Sequence, residues 1–507
     1  MRKYIVLVSL MASCLFVSAQ SEFDALKYSK TDITGTARFV GMSGAFGALG
    51  GDMSAININP AGIGVYRSSE LSLSPNLQMD ATNSNLDGTK ANASKINLLM
   101  NGFGYVGSFR TYDESAISNF NFGITYNRTA DFNRNTRVLG TGRKTSFIKE
   151  ICFMENWLLK DGSPYTTPYW NFMNMTADGV KVLDFNGTDY VPKVADNELS
   201  SSDMDYKESG GIDTWNFTLG ANYNHTLYVG LGIGLQYIDY EKSTSYVEEF
   251  SLTKGIELRN ALSTTGAGVN FKMGAIYRPV PELRLGLSYN SGTYYMLTDV
   301  FAGSMASWGF TNPVTGLVYP NNQRHIGSEE SVDYIMKTPQ QMTMSAAYQF
   351  GKQGLLSVDV DVVDYAGINL QDANGAEYGY INDAMTAHFK EALNIRVGGE
   401  WRMTDNFSAR LGGAISMSPI VSTIGEDYID TPFTRPDYTM PMNALYASMG
   451  LGYRSGAFFA DVALQEKISN ERFYNYYDDI SIAAGDPTFA NLTSNRTNFV
   501  FTAGIKF

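Results

Sequence analysis

The chain has little of several things that would simplify its reading. It carries two cysteines, Cys14 and Cys152, in 507 residues. Cys14 lies in a stretch that reads as removable, so Cys152 is left alone and no intramolecular disulfide is expected. The three histidines are His225, His325 and His388. None stands near a nucleophile motif, which argues against a hydrolase. Beyond the N-terminus no run of about 18 apolar residues occurs, so no helix is expected to cross a bilayer. A soluble chain of this length usually divides into about two or three domains, yet no Pro- or Ser-rich linker or shift in composition marks a boundary. The formal net charge of −13 excludes the basic surface that a nucleic-acid partner requires.

What is present is glycine and aromatic residues. There are 49 Gly, 32 Tyr and 29 Phe, with a mean hydropathy of −0.17. That combination fits strands in which only every second residue meets lipid. The N-terminus reads as an export signal. Arg2 and Lys3 precede an apolar stretch, Tyr4 to Val17, and Val17-Ser18-Ala19 forms a cleavage site before Gln20. A lipoprotein signal with Cys14 as acceptor is the alternative, but Met11-Ala12-Ser13-Cys14 lacks the usual leucine.

The strongest signal is period two. At the C-terminus, Phe499, Phe501, Ala503, Ile505 and Phe507 share one face, and Asn498, Val500, Thr502, Gly504 and Lys506 the other. Leu283, Leu285, Leu287 and Tyr289 alternate with Arg284, Gly286, Ser288 and Asn290 in the same way. Such segments predict strands over 69–80, 96–111, 117–131, 212–226, 227–249, 264–280, 281–297, 336–352, 353–366, 389–404, 405–418, 442–455, 456–472 and 495–507. Short connections include Asp113-Glu114-Ser115, His225-Thr226, Val280-Pro281 and Ser455-Gly456. Long ones are 81–95, 132–211, 250–263, 298–335, 367–388, 419–441 and 473–494. Short and long alternate, as periplasmic turns and extracellular loops do in bacterial outer-membrane barrels. The expectation is an all-β chain: a transmembrane antiparallel β-barrel of about 14 strands with both termini periplasmic. Residues 147–159, in the largest loop, read as a short amphipathic helix. Such a barrel implies outer-membrane lipid, lipopolysaccharide and the barrel-assembly machinery as partners, and no cofactor.

Residues 20–68 show no lipid-facing alternation. They are rich in Gly and Ala, and a compact segment of this kind before a barrel is expected inside the lumen, as a plug or hatch. Asn59-Pro60 is a turn signal, and Asp52 with Ser54 suits the cap of a short helix. The series Arg38-Phe39-x-Gly41-Met42-x-Gly44-Ala45, then Asp52-x-Ser54-Ala55, then Asn59-Pro60-Ala61-Gly62 resembles the hatch of the FadL/TodX family of outer-membrane transporters of hydrophobic compounds. Downstream, Thr265-Gly266-Ala267-Gly268-Val269, Tyr277-Arg278-Pro279, Thr338-Pro339-Gln340, Arg396-x-Gly398-x-Glu400 and Arg410-x-Gly412 are similar to that family's barrel. The resemblance implies passive uptake of long-chain fatty acids or other hydrophobic small molecules. It makes Asp52, Asn59, Pro60, Ala61 and Gly62 hatch or gate residues.

A fatty acid would need a cationic anchor for its carboxylate. Strand parity points Lys272, Arg278, Arg284, Arg396, Arg402 and Arg410 inward as candidates. The competing reading is structural: these cations pair with inward Asp359, Asp361, Glu400 and Asp461. Two other functions compete with transport of apolar solutes. A haem receptor would need an axial His, Met, Cys or Tyr, which the 22 Met and 32 Tyr leave open. A surface adhesin or antigen would use the long loops but has no need of a hatch.

Overall fold

The computed structural model describes residues 21–507 other than 112–115, 162–180, 196–197, 199, 252, 313–314, 320–322, 327–328, 422–435 and 477–488. The expected export signal, the turn Asp113-Glu114-Ser115 and the middle of segments 419–441 and 473–494 lie outside the described residues. The chain begins with α1 (Glu22–Ser29), whose N-terminus Ser21 and Asp24 close as a capping box. A single-turn helix α2 (Ala37–Val40) follows, capped by Thr36, then two 3-10 turns, Ser54–Asn57 and Pro60–Val65.

Among the described residues, fourteen strands then close a barrel. They are β1 (Glu70–Leu86), β2 (Thr89–Arg110), β3 (Ile117–Asp131), β4 (Ser200–Tyr223), β5 (Leu227–Ser251), β6 (Lys254–Val280) and β7 (Leu283–Asn290), then β8 (Gln341–Phe350), β9 (Gly354–Asp364), β10 (Glu391–Arg402), β11 (Phe407–Ser416), β12 (Tyr438–Ser455), β13 (Phe458–Tyr474) and β14 (Ala490–Lys506). Each pairs antiparallel with its sequence neighbours, and β14 returns to β1 with Leu71 opposite Ile505 and Asn85 opposite Asn491. Closure leaves no unpaired edge, the condition for strands in lipid. Three strands are interrupted and resume: β3 as Arg134–Arg143, β7 as Tyr294–Trp308, and β8 is preceded by Glu330–Lys337.

The alternation decides what faces outward. On β1, Leu71, Leu73, Leu77 and Met79 are exposed, whereas Ser72, Ser74, Asn76, Gln78 and Asp80 are buried inside. On β5, Leu231, Ile233 and Leu235 face out. Phe350, Trp401, Phe407, Tyr453, Phe458 and Phe507 are exposed beside the short turns, where a ring of aromatic residues marks the lipid–water boundary. The chain enters β1 and leaves β14 at this same end, where Ser69 N–H donates to Phe507 O at 3.0 Å and Phe507 N–H returns the bond to Ser69 O at 3.0 Å.

Two segments expected as long loops are strand instead, and a third, 298–335, is strand at both its ends. Residues 81–95 continue β1 and β2 up to Leu86 opposite Thr89, across a turn at Asp87 and Gly88, both with positive φ. Residues 250–251 and 254–263 are the ends of β5 and β6, paired as far as Ser251 opposite Lys254. The reason is chemical. Outward side chains there include Asn83, Asn85, Glu257 and Arg259, so the apolar half of the alternation ends with the lipid. The backbone ladder has no such requirement and continues. Segment 132–211 likewise contains the resumed β3 and the first part of β4, together with α3 (Phe147–Asp161) where a helix over 147–159 was expected. Glu248 accepts hydrogen bonds from Ser146 Oγ and Phe147 N, both at 3.1 Å, and so ties the start of α3 to the β5 overhang. A fourth helix, α4 (Gly379–His388), lies between β9 and β10.

Candidate functional site in the barrel lumen

Residues 36–66 are almost wholly buried among inward-facing strand residues. Much of the fit comes from wall glycines. A Cβ on Gly412 or Gly398 would lie 2.4 or 2.5 Å from the backbone of Met42, and one on Gly230 would lie 2.3 Å from Pro60. Polar strand side chains then satisfy the backbone of the segment, which cannot reach water. Thr502 Oγ1 accepts from Ala37 N at 2.7 Å, and Ser448 Oγ from Ser43 N at 3.0 Å. One oxygen of Asp359 accepts from both Phe46 N and Gly47 N, at 3.0 and 2.9 Å.

The expected hatch residues form the interior of this segment. Asp52 is buried and accepts from Thr36 Oγ1 at 2.8 Å and from Ser54 N at 2.9 Å. Burial pushes its carboxyl upward, opposed by Arg38 and these hydrogen bonds. Asn59 caps the second 3-10 turn, accepting from Ala61 N at 3.0 Å. Its amide donates to Gly47 O at 2.7 Å and to Ala275 O at 3.3 Å. Pro60 opens that turn, and Gly62 packs its Cα against Gly50 so closely that a Cβ would meet it at 3.0 Å.

The inward cations divide into three groups. Arg396 pairs with Asp361, through Nη1 and at 2.7 Å through Nη2, and with Asp359 at 3.4 Å. Arg410 pairs with Glu400 at 2.7 Å and Asp461 at 2.5 Å. Arg38, on the N-terminal segment, completes this ladder with a two-pronged contact to Glu400 at 2.9 and 3.2 Å. A second group sits at the turns. Arg278 donates to Pro281 O, at 2.8 Å through Nη2, and Arg402 to Asp405 Oδ1 at 3.0 Å. Both candidates thus clamp connections at the barrel's rim, because the strands turn there and parity no longer predicts direction. Arg284 donates to Leu49 O at 2.7 Å.

Lys272 is different. It is buried on β6, and its ammonium donates to Asn216 Oδ1 at 2.8 Å and Asn57 Oδ1 at 3.1 Å. Among the described residues it makes no ion pair. It lines a cavity of about 160 Å³ bounded by Asn57 and Ile58 below and by residues 28–34 at the side. Apolar lining comes from Tyr28, Ile33, Phe39, Ile212, Val363 and Tyr365. Lys30 lines the cavity too and makes no ion pair among the described residues. Burial and the neighbouring Lys467 push its amine down to about 8, against Glu471 and Asp32. Next to it Asp32 is bound by Lys467 and, at 3.6 Å, by Arg496. Parity could not find Lys30 or Asn57, because neither lies on a strand. Asn216 was visible on the inward face of β4, but an asparagine is an ordinary lumen residue.

Among the described residues, His225 and His388 come together in no site. His225 lies in a short turn, bonded to Asn222. His388 is buried with Nδ1 2.8 Å from Glu22 Oε2. The side chain of His325 lies outside the described residues.

No known family profile matches the sequence, and no curated protein sequence is significantly similar. Solved structures do resemble the fold. A FadL homologue of Pseudomonas aeruginosa superimposes with a TM-score of 0.55 at 15% identity, over 94% of this chain and 99% of that one. The toluene transporter TodX of Pseudomonas putida gives 0.50 at 11% identity, over 95% and 99%. The chain therefore has the fold of this class of channel barrel: fourteen antiparallel strands closed on themselves.

Proposed function

We propose that this protein is an outer-membrane channel of the FadL/TodX type for passive uptake of hydrophobic small molecules, and that its ligand carries a carboxylate, as a long-chain fatty acid does. The observation that carries the second half is Lys272. A buried ammonium with only neutral amide partners is costly, and a bound carboxylate would offset that cost. The apolar walls beside it suit an alkyl chain. Nothing in the lumen chemistry calls for an enzyme.

The fold likeness and the sequence resemblance support the outer membrane as the location, reached through a cleaved export signal, with the short turns and both termini in the periplasm. Lipopolysaccharide and the barrel-assembly machinery are the further partners this location brings. Residues 20–68 act as the hatch. The double glycine at 50 and 51, with φ of 59° and 66°, supplies the backbone freedom for a shift between closed and open states. A ligand drives that shift only by binding the two states with different affinity.

Oleate binding to the detergent-solubilised protein tests the anchor. Lys272→Met should weaken it by at least about tenfold, roughly the 1.4 kcal/mol expected of a charge-assisted contact. An unchanged dissociation constant would remove the carboxylate reading. Deleting residues 20–62 tests the hatch. The shortened barrel should conduct small ions in a planar bilayer far better than the full chain, and equal conductance would show that the segment blocks nothing.

A further inference from the structure

At the short-turn end of the barrel, beneath the N-terminal segment, lies a separate cavity of about 310 Å³. Its lining is strongly cationic: Arg38, Arg67, Arg284, Arg454 and Lys506 face a single lining carboxylate, Glu282. Two of the five are neutralised from behind. Arg38 is held by Glu400, and Lys506 by Glu70 at 2.9 Å. The remaining three, Arg67, Arg284 and Arg454, make no ion pair among the described residues. Arg67 is exposed, Arg454 is exposed, and Arg284 is half-buried with Leu49 O as its acceptor. Guanidinium groups gathered in one concave place without counter-charge repel one another unless an anion joins them.

The chamber also borders the double glycine. Arg284 holds Leu49 O at 2.7 Å, and Arg38 Nη1 reaches Gly51 O at 3.4 Å. Both carbonyls that flank Gly50 are thus held by arginines of the cationic chamber. None of these residues touches the Lys272 cavity, which lies on the other side of residues 36–66.

We propose that this chamber is an oxyanion-binding site, built by Arg67, Arg284 and Arg454, for the carboxylate or phosphate head of an amphipathic molecule. Planar guanidinium forks match both heads, through two parallel N–H···O bonds. The site is open to the short-turn side, so it does not depend on what the lumen cavity carries. Arg284 gives only Nη1 to Leu49 O, so an anion can share the same guanidinium through its other N–H groups, beside the point where the backbone turns through two positive φ values.

Ligand-observed NMR on the full-length protein in non-ionic detergent tests this with two probes, inorganic phosphate (³¹P line width) and hexanoate (saturation transfer). At low salt at least one probe should bind. Measured in a Lys272→Met background, so that the lumen anchor takes neither probe, Arg67→Gln/Arg284→Gln/Arg454→Gln should weaken that binding at least fivefold. Arg67→Gln/Arg454→Gln keeps the Arg284–Leu49 bond and alters only exposed side chains, so it guards against misfolding and should weaken binding about half as much on a logarithmic scale. Loss of the phosphate signal identifies a phosphate head, and loss of the hexanoate signal a carboxylate head. The proposal is overturned if neither probe binds in that background, or if the arginine variants bind as the background protein does.

Discussion

The two sides of the lumen treat charge in opposite ways. Along β9, β10, β11 and β13 the charges close into two ion-pair clusters, Arg396 with Asp359 and Asp361, and Arg410 with Glu400 and Asp461, the second of which Arg38 joins. Along β4 and β6, Lys272 meets only the amide oxygens of Asn57 and Asn216. The same strand parity puts all of them inside. The difference lies in who satisfies them. On the first side the protein's own carboxylates do, and they also hold the backbone of residues 46 and 47. On the second side a charge is left for something else. A lumen cation is therefore a candidate ligand group only after its partners are known.

The contrast can be broken most severely on the paired side. Arg396→Leu strands two buried carboxylates, Asp359 and Asp361, and should cost about 3–5 kcal/mol. Urea unfolding in lipid vesicles would read this as a lowered midpoint. A midpoint within error of the parent would mean that the cluster is ornamental. On the unpaired side the pattern should invert. Lys272→Met removes a buried charge that has no counter-ion, so the tenfold loss of oleate affinity should come with a midpoint no lower than the parent's. If the midpoint falls as it does for Arg396→Leu, Lys272 belongs with the structural clusters after all.

A smaller effect concerns the bridge between the sides. Burial opposes ionisation of Asp32, but Lys467 and Arg496 outweigh it and hold the carboxyl down to about 2, from an ordinary 3.8. A carboxyl depressed in the docked state contributes stability that is complete above 3.8 and is lost as pH falls toward 2. Docking of residues 21–35 should weaken across that window, seen as rising protease access to this segment. Asp32→Asn should flatten the profile there. A parent and variant with the same profile would show that the contact does not hold the segment.

Much of this was legible from the chain. Away from the turns, the inward and outward faces of the strands follow from alternation, because successive side chains must point to opposite sides and lipid accepts only one kind. The number of strands, the short turns that fall among the described residues and the helix near 147–159 follow too. So did the structural reading of Arg396 and Arg410, since opposite charges on neighbouring inward faces are placed to meet. The overhang of β1, β2, β5 and β6 was not legible. Beyond the lipid both faces are polar, and a ladder with no apolar face looks like a loop.

The roles of the cations divide along the same line. Local sequence decided that Lys272, Arg284 and Arg396 project from strands toward the interior, because parity is a property of the backbone alone. Only the tertiary structure decided that Arg396 is saturated by Asp361 and Asp359, that Arg278 and Arg402 are spent on turns, and that Lys272 faces a cavity closed by Asn57. Ion pairing depends on distances between segments far apart in the chain, such as residue 57 and residue 272. Period two carries no information about those.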